Sequence, residues 1–151
     1  MKTKEWGSSF WFVFFTMIQG AYPYKIDHKN KDHIKTKRAF IGLFNNLKRL
    51  LPCHFCRESY CKFYRELPIE NFSSGRINMM KWLYLMKDRV NRKLISQEKQ
   101  ELIEKKKEYI SGKISKEEYS RYLKSRFKTI KTPKFEKVLD SYEKMRATCK
   151  K

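Results

Sequence analysis

The chain is short of the residues that punctuate a sheet, with five glycines and four prolines among 151 residues. A many-stranded fold needs tight turns at close intervals, and these are the residues that make them. Their scarcity argues against a sandwich or barrel. Four cysteines are too few for a disulfide scaffold in a chain this size. Long apolar runs are also missing: the stretch from Phe10 to Met17 is too short to span a bilayer, and no transmembrane segment is expected.

What remains is a basic, aromatic, helix-forming composition. Hydrophobic residues at 40% and aromatics at 15% suffice for a core, which excludes a disordered tail. Good helix formers dominate the rest, so the expected class is all-α, one compact domain with an appended piece. Lys and Arg outnumber Asp and Glu by 36 to 16, giving a formal charge of +20. Such a chain adheres to nucleic acid and anionic surfaces whatever its role. The lysines are scattered, though, and at 97–109 they alternate with glutamates, the pattern of solvated helix faces. Charge therefore does not single out nucleic acid as the main partner.

Residues 1–21 imitate a signal peptide, with Lys2 and Lys4 before the apolar run and Gly20-Ala21 after it. Glu5, Trp6 and Trp11 are foreign to such a leader, and a first core helix is the favoured reading. Ser8 or Ser9 would cap it, and Trp11, Phe14, Phe15 and Ile18 would form its inner face. A second helix capped near Asp32 carries Phe40, Leu43, Phe44, Leu47, Leu50 and Leu51 at helical spacing. Pro52 interrupts it, and a third helix from about Cys53 turns Tyr60, Phe63 and Tyr64 inward. Ser73 or Ser74 would cap a fourth, with Ile77, Met80, Leu83, Tyr84, Val90 and Leu94 as apolar positions. Beyond Leu94 the texture becomes charged. Residues 97–130 read as a helical hairpin broken at Ser111-Gly112, with a capping box at Ser115 and Glu118. Thr132-Pro133 would start a last helix bearing Phe135, Val138, Leu139 and Tyr142. The expected architecture is a four-helix bundle plus a short fifth helix. Residues 1–94 form its core, 95–131 a charged insertion, and 132–151 the last helix with a basic tail.

Cys53-His54-Phe55-Cys56 places a Cys-x-x-Cys pair at a helix start. Unpaired N–H groups and the helix dipole favour a thiolate there, and the thiolate is the attacking species in disulfide exchange. Zinc sites share this spacing, but a structural site needs four ligands and no second pair exists; Cys61 would have to be the third, with His54 or distant Cys149 the fourth. A thioredoxin-like unit lacks its surrounding strands.

Three blocks extend the pattern. Trp6-Gly7-x-x-Phe10-Trp11 with Tyr22-Pro23 resembles the opening of Erv/ALR sulfhydryl oxidases. Leu50-Leu51-Pro52-Cys53-His54-Phe55-Cys56-Arg57 resembles their active-site segment. Trp82 with Val90-Asn91-Arg92-Lys93-Leu94 resembles the end of their flavin helix, and Val138 with Tyr142 is similar to their last helix.

The resemblance implies an FAD-dependent enzyme that forms disulfides in protein dithiols, reduces molecular oxygen to hydrogen peroxide, and dimerises through its first two helices. Cys56 would lie against the flavin and Cys53 would exchange with substrate. Gly7, Trp11, Phe15, Tyr22, Lys87, Val90, Asn91 and Lys93 would serve the cofactor. Phe15 stands where the family usually has histidine, and Lys87-Asp88 replaces a His-Asn pair. The structural cysteine pair that often follows the flavin helix is missing, as in shorter members of viral origin, and the lysine-rich composition suits a large DNA virus. Host cytoplasm or virion, a secretory compartment and the mitochondrial intermembrane space are the compartments this implies. A flavin-free helical binding module, or a small zinc-stabilised nucleic-acid-binding protein, is the alternative function. Cys61 reads as a small packed residue, and Cys149 as a thiol in a basic tail.

Overall fold

The computed structural model describes residues 3–126 and 128–145. Among them every regular element is helical: α1 (Thr3–Ala21), α2 (Lys31–Leu50), α3 (His54–Glu66), α4 (Arg76–Ile110), α5 (Lys116–Ser125) and α6 (Phe135–Lys144), with a single 3₁₀ turn at Ile69–Phe72. The all-α expectation holds. The chain divides into two compact units, Met1–Lys87 with Pro133–Lys151, and Asp88–Thr132.

The first unit is organised around aromatic rings. Phe15, Ile18, Tyr22, Phe44, Ile69, Met79, Met80, Trp82 and Met86 are fully buried. Phe44 of α2 meets Phe14 of α1 at 5.5 Å and Trp82 of α4 at 4.8 Å between centroids, and Tyr64 of α3 meets Trp82 edge-on at 5.9 Å. One ring from each of four helices thus converges, and offset or edge-to-face pairs add to the burial itself. Polar tips are satisfied where they end: Tyr60 Oη donates to Phe44 O at 2.8 Å and Trp82 Nε1 to Leu67 O at 2.9 Å. Burial pushes the Tyr60 phenol well above its ordinary value, with Tyr64 and Cys61 adding to the rise.

The turn after α1 is locked to the start of α4. Tyr22 Oη donates to Ser73 O at 2.8 Å, Arg76 Nε to Tyr22 O at 2.7 Å, and Arg76 N to Pro23 O at 2.9 Å. Gly75 permits this approach, because a Cβ there would lie 2.4 Å from Tyr24 O.

Several boundaries differ from those expected. Helix α1 begins at Thr3, so Ser8 and Ser9 lie inside it as exposed residues rather than caps. Asn30, not Asp32, caps α2, accepting from Asp32 N and His33 N. Ser73 Oγ donates to Glu70 O and Ser74 Oγ accepts from Asn78, while α4 starts at Arg76. Helix α6 starts at Phe135 with Lys134 at its N-cap, two residues after Pro133. Leu50, expected inside, is 66% exposed, because it stands at the edge of the α2 stripe in the last helical position.

In the second unit α4 ends at Ile110 in a Schellman turn: Gly112 takes φ 72°, Lys113 N donates to Glu108 O at 2.9 Å and Gly112 N to Tyr109 O at 3.1 Å. The expected capping box is present at Ser115 and Glu118. Tyr109 and Tyr119 stack at 5.0 Å with their planes 4° apart. The return segment is pinned by Glu98, which accepts from Thr129 N and Oγ1, and by Asn91 Nδ2, which donates to Thr132 Oγ1 at 2.9 Å and Ile130 O at 3.3 Å.

Candidate functional site

The site begins where Pro52 separates two helices. Leu51 closes α2, its N–H on Leu47 O, and Cys53 is the extended N-cap of α3 at φ −108° and ψ 125°. Cys53 O accepts from Cys56 N at 3.1 Å and Arg57 N at 3.0 Å. Cys53 therefore precedes the first turn and Cys56 sits within it, the end where backbone N–H groups favour a thiolate. Both cysteines are half-buried. Arg57 Nη1 donates to Leu51 O at 2.7 Å, which ties the first turn of α3 back to the end of α2. His54 Nε2 reaches Glu58 Oε1 at 3.1 Å on the exposed side. Cys61 is half-buried further along α3, and Cys149 lies outside the described residues.

A second cluster forms on α1 and the end of the first unit. Phe15 is fully buried and stacks on Tyr142 of α6, with centroids 5.0 Å apart and planes 24° apart. Lys87 Nζ lies 5.9 Å from the Phe15 centroid. Burial lowers the Lys87 pKa from the ordinary lysine value, and among the described residues no carboxylate pairs with it. Gln19, one turn beyond Phe15 on the same face of α1, is 5% exposed, and its Oε1 has no partner. Trp6 Nε1 is likewise buried and unpartnered. Gly7 and Trp11 are half-buried on α1.

Phe15 of α1 and Lys87 of α4 fall in one cluster, a proximity that the spacing within either helix does not carry. Tyr22 is fully buried, but its hydroxyl is committed to Ser73 and its ring meets Phe40 edge-on at 5.3 Å; burial pushes its phenol up to about 12. Val90, Asn91 and Lys93 are half-buried in the second unit, where the Asn91 amide is engaged by Thr132 and Ile130. Sequence reasoning missed Tyr142 and Gln19 as site residues. The signals were Tyr142 four residues after Val138 and a glutamine on an apolar helix face. A stack of aromatic rings, a half-buried cation without a carboxylate partner and a buried amide oxygen without a donor supply the kinds of contact that a flat, anionic cofactor such as FAD uses. No group of three or more His, Cys, Asp or Glu able to hold a metal ion occurs among the described residues.

The model of the Erv1/Alr family matches residues 8–120, three quarters of the chain and the whole of the Cys-x-x-Cys region. The chain belongs to the Erv1/Alr family. The crystal structure of the yeast Erv1 core superposes with a TM-score of 0.52 at 20% identity, over 62% of this chain and 72% of that one, a likeness of fold. Comparison with curated proteins gives no match. Erv1/Alr proteins are generally FAD-binding oxidases of protein thiols, found in the mitochondrial intermembrane space and the secretory compartment. No helix of this Erv1/Alr chain is, over the described residues, long and apolar enough to cross a membrane.

Proposed function

We propose that the protein is an FAD-linked sulfhydryl oxidase that forms disulfides in protein substrates with molecular oxygen as final acceptor. The observation that carries this reading is the Cys53 N-cap and Cys56 first-turn arrangement, clamped by Arg57 to Leu51 at 2.7 Å. A substrate thiolate attacks Cys53 Sγ of the Cys53–Cys56 disulfide, and Cys56 departs as a thiolate stabilised by the helix start. The second substrate thiol then displaces Cys53. The substrate has lost two electrons and two protons, and both chain cysteines are reduced. Bound FAD would supply a two-electron acceptor whose electrons leave to oxygen as hydrogen peroxide.

Trp11 and Phe15 are proposed to wall the cofactor, Lys87 to meet its negative charge, and Gly7 to allow close backbone approach. Tyr22 is proposed to act by fixing the end of α1, through its bond to Ser73. Val90 and Lys93 are proposed as contacts on the family pattern, and Asn91 as the pin of the return segment. A homodimer is also proposed. Phe10, Val13 and Met17, exposed along one face of α1, support it, and sedimentation of the purified protein tests it.

The test of the oxidase reading is the absorbance spectrum of purified protein, before and after an anaerobic dithiol. Flavin bands that bleach and return in air are expected. Cys53→Ser and Cys56→Ser should each abolish turnover, and Cys53→Ser should leave the bands in place. A colourless protein that FAD cannot reconstitute overturns the reading.

A further inference from the structure

The surface around Cys53 has two properties that the thiol chemistry does not require. The first is exposed apolar area. Leu50 is 66% exposed and Phe55 is 72% exposed, although both side chains belong inside by composition. Leu50 is the last residue of α2 and Phe55 the second of α3, so they flank Cys53 from opposite helices. At most three residues separate either from Cys53, which keeps each Cα within about 11 Å of it. The Arg57–Leu51 bond holds the two helix ends in register, so the pair is presented on rigid elements.

The second property is charge. No Asp or Glu occurs between Asp32 and Glu58, a stretch that carries six Lys and Arg residues. Glu58, the carboxylate that ends the gap, is occupied by His54 at 3.1 Å. Nearest the thiol, Arg49 is exposed, while Arg57 is spent on Leu51 O and Lys48 sits 3.9 Å over the Tyr64 ring. An approaching anionic segment therefore meets the exposed Arg49 and a stretch of chain whose own charge is positive.

We infer that Leu50 and Phe55, with Arg49 beside them, form a docking platform for an acidic protein segment that carries an apolar residue next to the cysteine being oxidised. The inference rests on the oxidase reading and deepens it by naming the chemistry of the substrate. The apolar neighbour settles on Leu50 and Phe55 and holds the substrate sulfur at Cys53. Acidic residues around it meet the basic stretch and raise the encounter rate.

The test uses the flavin-loaded protein and three dithiols: dithiothreitol, a two-cysteine peptide with leucine and aspartate beside its cysteines, and the same peptide with lysine in place of aspartate. Oxygen consumption gives kcat and KM. The acidic peptide should have a KM about tenfold below that of the basic one, a preference that shrinks as salt rises. Leu50→Ser with Phe55→Ser should raise the KM of the acidic peptide about tenfold, with kcat unchanged and dithiothreitol kinetics within about twofold. Arg49→Glu should erode the acidic preference alone. Both apolar side chains are largely exposed, so the substitutions leave the core untouched. Equal KM values for the two peptides, or equal losses with dithiothreitol and peptide, overturn the platform while leaving the oxidase intact. A wild-type protein that oxidises none of the three removes the oxidase reading and the platform with it.

Discussion

Lys87 carries a conflict that separates stability from cofactor binding. Its ammonium is half-buried beside the Phe15 ring, and desolvation lowers its pKa from the ordinary 10.5. Below that lowered value the lysine is charged in folded and unfolded states alike, and the folded state bears the full desolvation cost. As pH rises from the lowered value to 10.5 the folded protein sheds its proton first, so the cost is relieved and stability rises. Lys87→Met should therefore raise the melting temperature of the cofactor-free protein near neutral pH, and the gain should vanish as pH approaches 10.5. The same substitution should weaken FAD retention by about tenfold, the worth of a charge-assisted contact. Melting curves across pH and a flavin titration check the two halves. That Lys87 faces inward was legible from helical spacing alone. That no carboxylate meets it depends on what the other helices bring there, and a single stripe of sequence does not carry that.

Among the elements, two glycines contrast, Gly75 at the start of α4 and Gly42 inside α2. A Cβ at Gly75 would meet backbone, Tyr24 O at 2.4 Å and Tyr24 C at 3.3 Å, with no flexible side chain to give way. Gly75→Ala should cost about 2–3 kcal/mol as the turn and Arg76 are displaced. Gly42, inside α2, has open space where its Cβ would be, so Gly42→Ala should stabilise by about 0.5–1 kcal/mol. Urea unfolding of both variants reads the opposite signs directly. Helix existence was legible throughout, as were the ends marked by Pro52, Gly112 and the Ser115 capping box, whereas the starts of α1 and α4 were not. Ser8 and Ser9 have the chemistry of caps, yet the helix continues toward Thr3 because Trp6 meets Phe10 one turn on, at 5.1 Å. The charged texture after Leu94 suggested a new element. Arg76–Ile110 contains neither glycine nor proline, and a change of composition without a breaker does not end a helix.

For the molecule as a whole, charge is the least balanced quantity. The formal charge is +20, and the ion pairs that offset it, such as Lys144–Asp140 and Lys35–Asp32, are exposed and within one turn of a helix. Pairs of that kind contribute a few tenths of a kcal/mol each, so self-repulsion should dominate. Raising sodium chloride from about 0.05 to about 0.5 M should lift the melting temperature by a few degrees, by shortening the screening length. A fall instead would mean that the local pairs outweigh the net charge. At this scale the cysteine pair was fully legible, because its helix start is local in sequence. The Phe15–Tyr142 stack was not, since it joins α1 to α6 across nearly the whole chain.

That stack also orders events during biosynthesis. Helix α1 leaves the ribosome early, while α6, which packs against it, is translated only after the entire second unit. Contacts between such distant segments close late, because a long loop must be brought round first. Until then the nascent chain displays the Phe12 and Phe15 side of α1 to solvent or to chaperones, and premature termination before Phe135 leaves that side open for good. Truncated translation products would be expected to aggregate even though the cysteine motif had already been made.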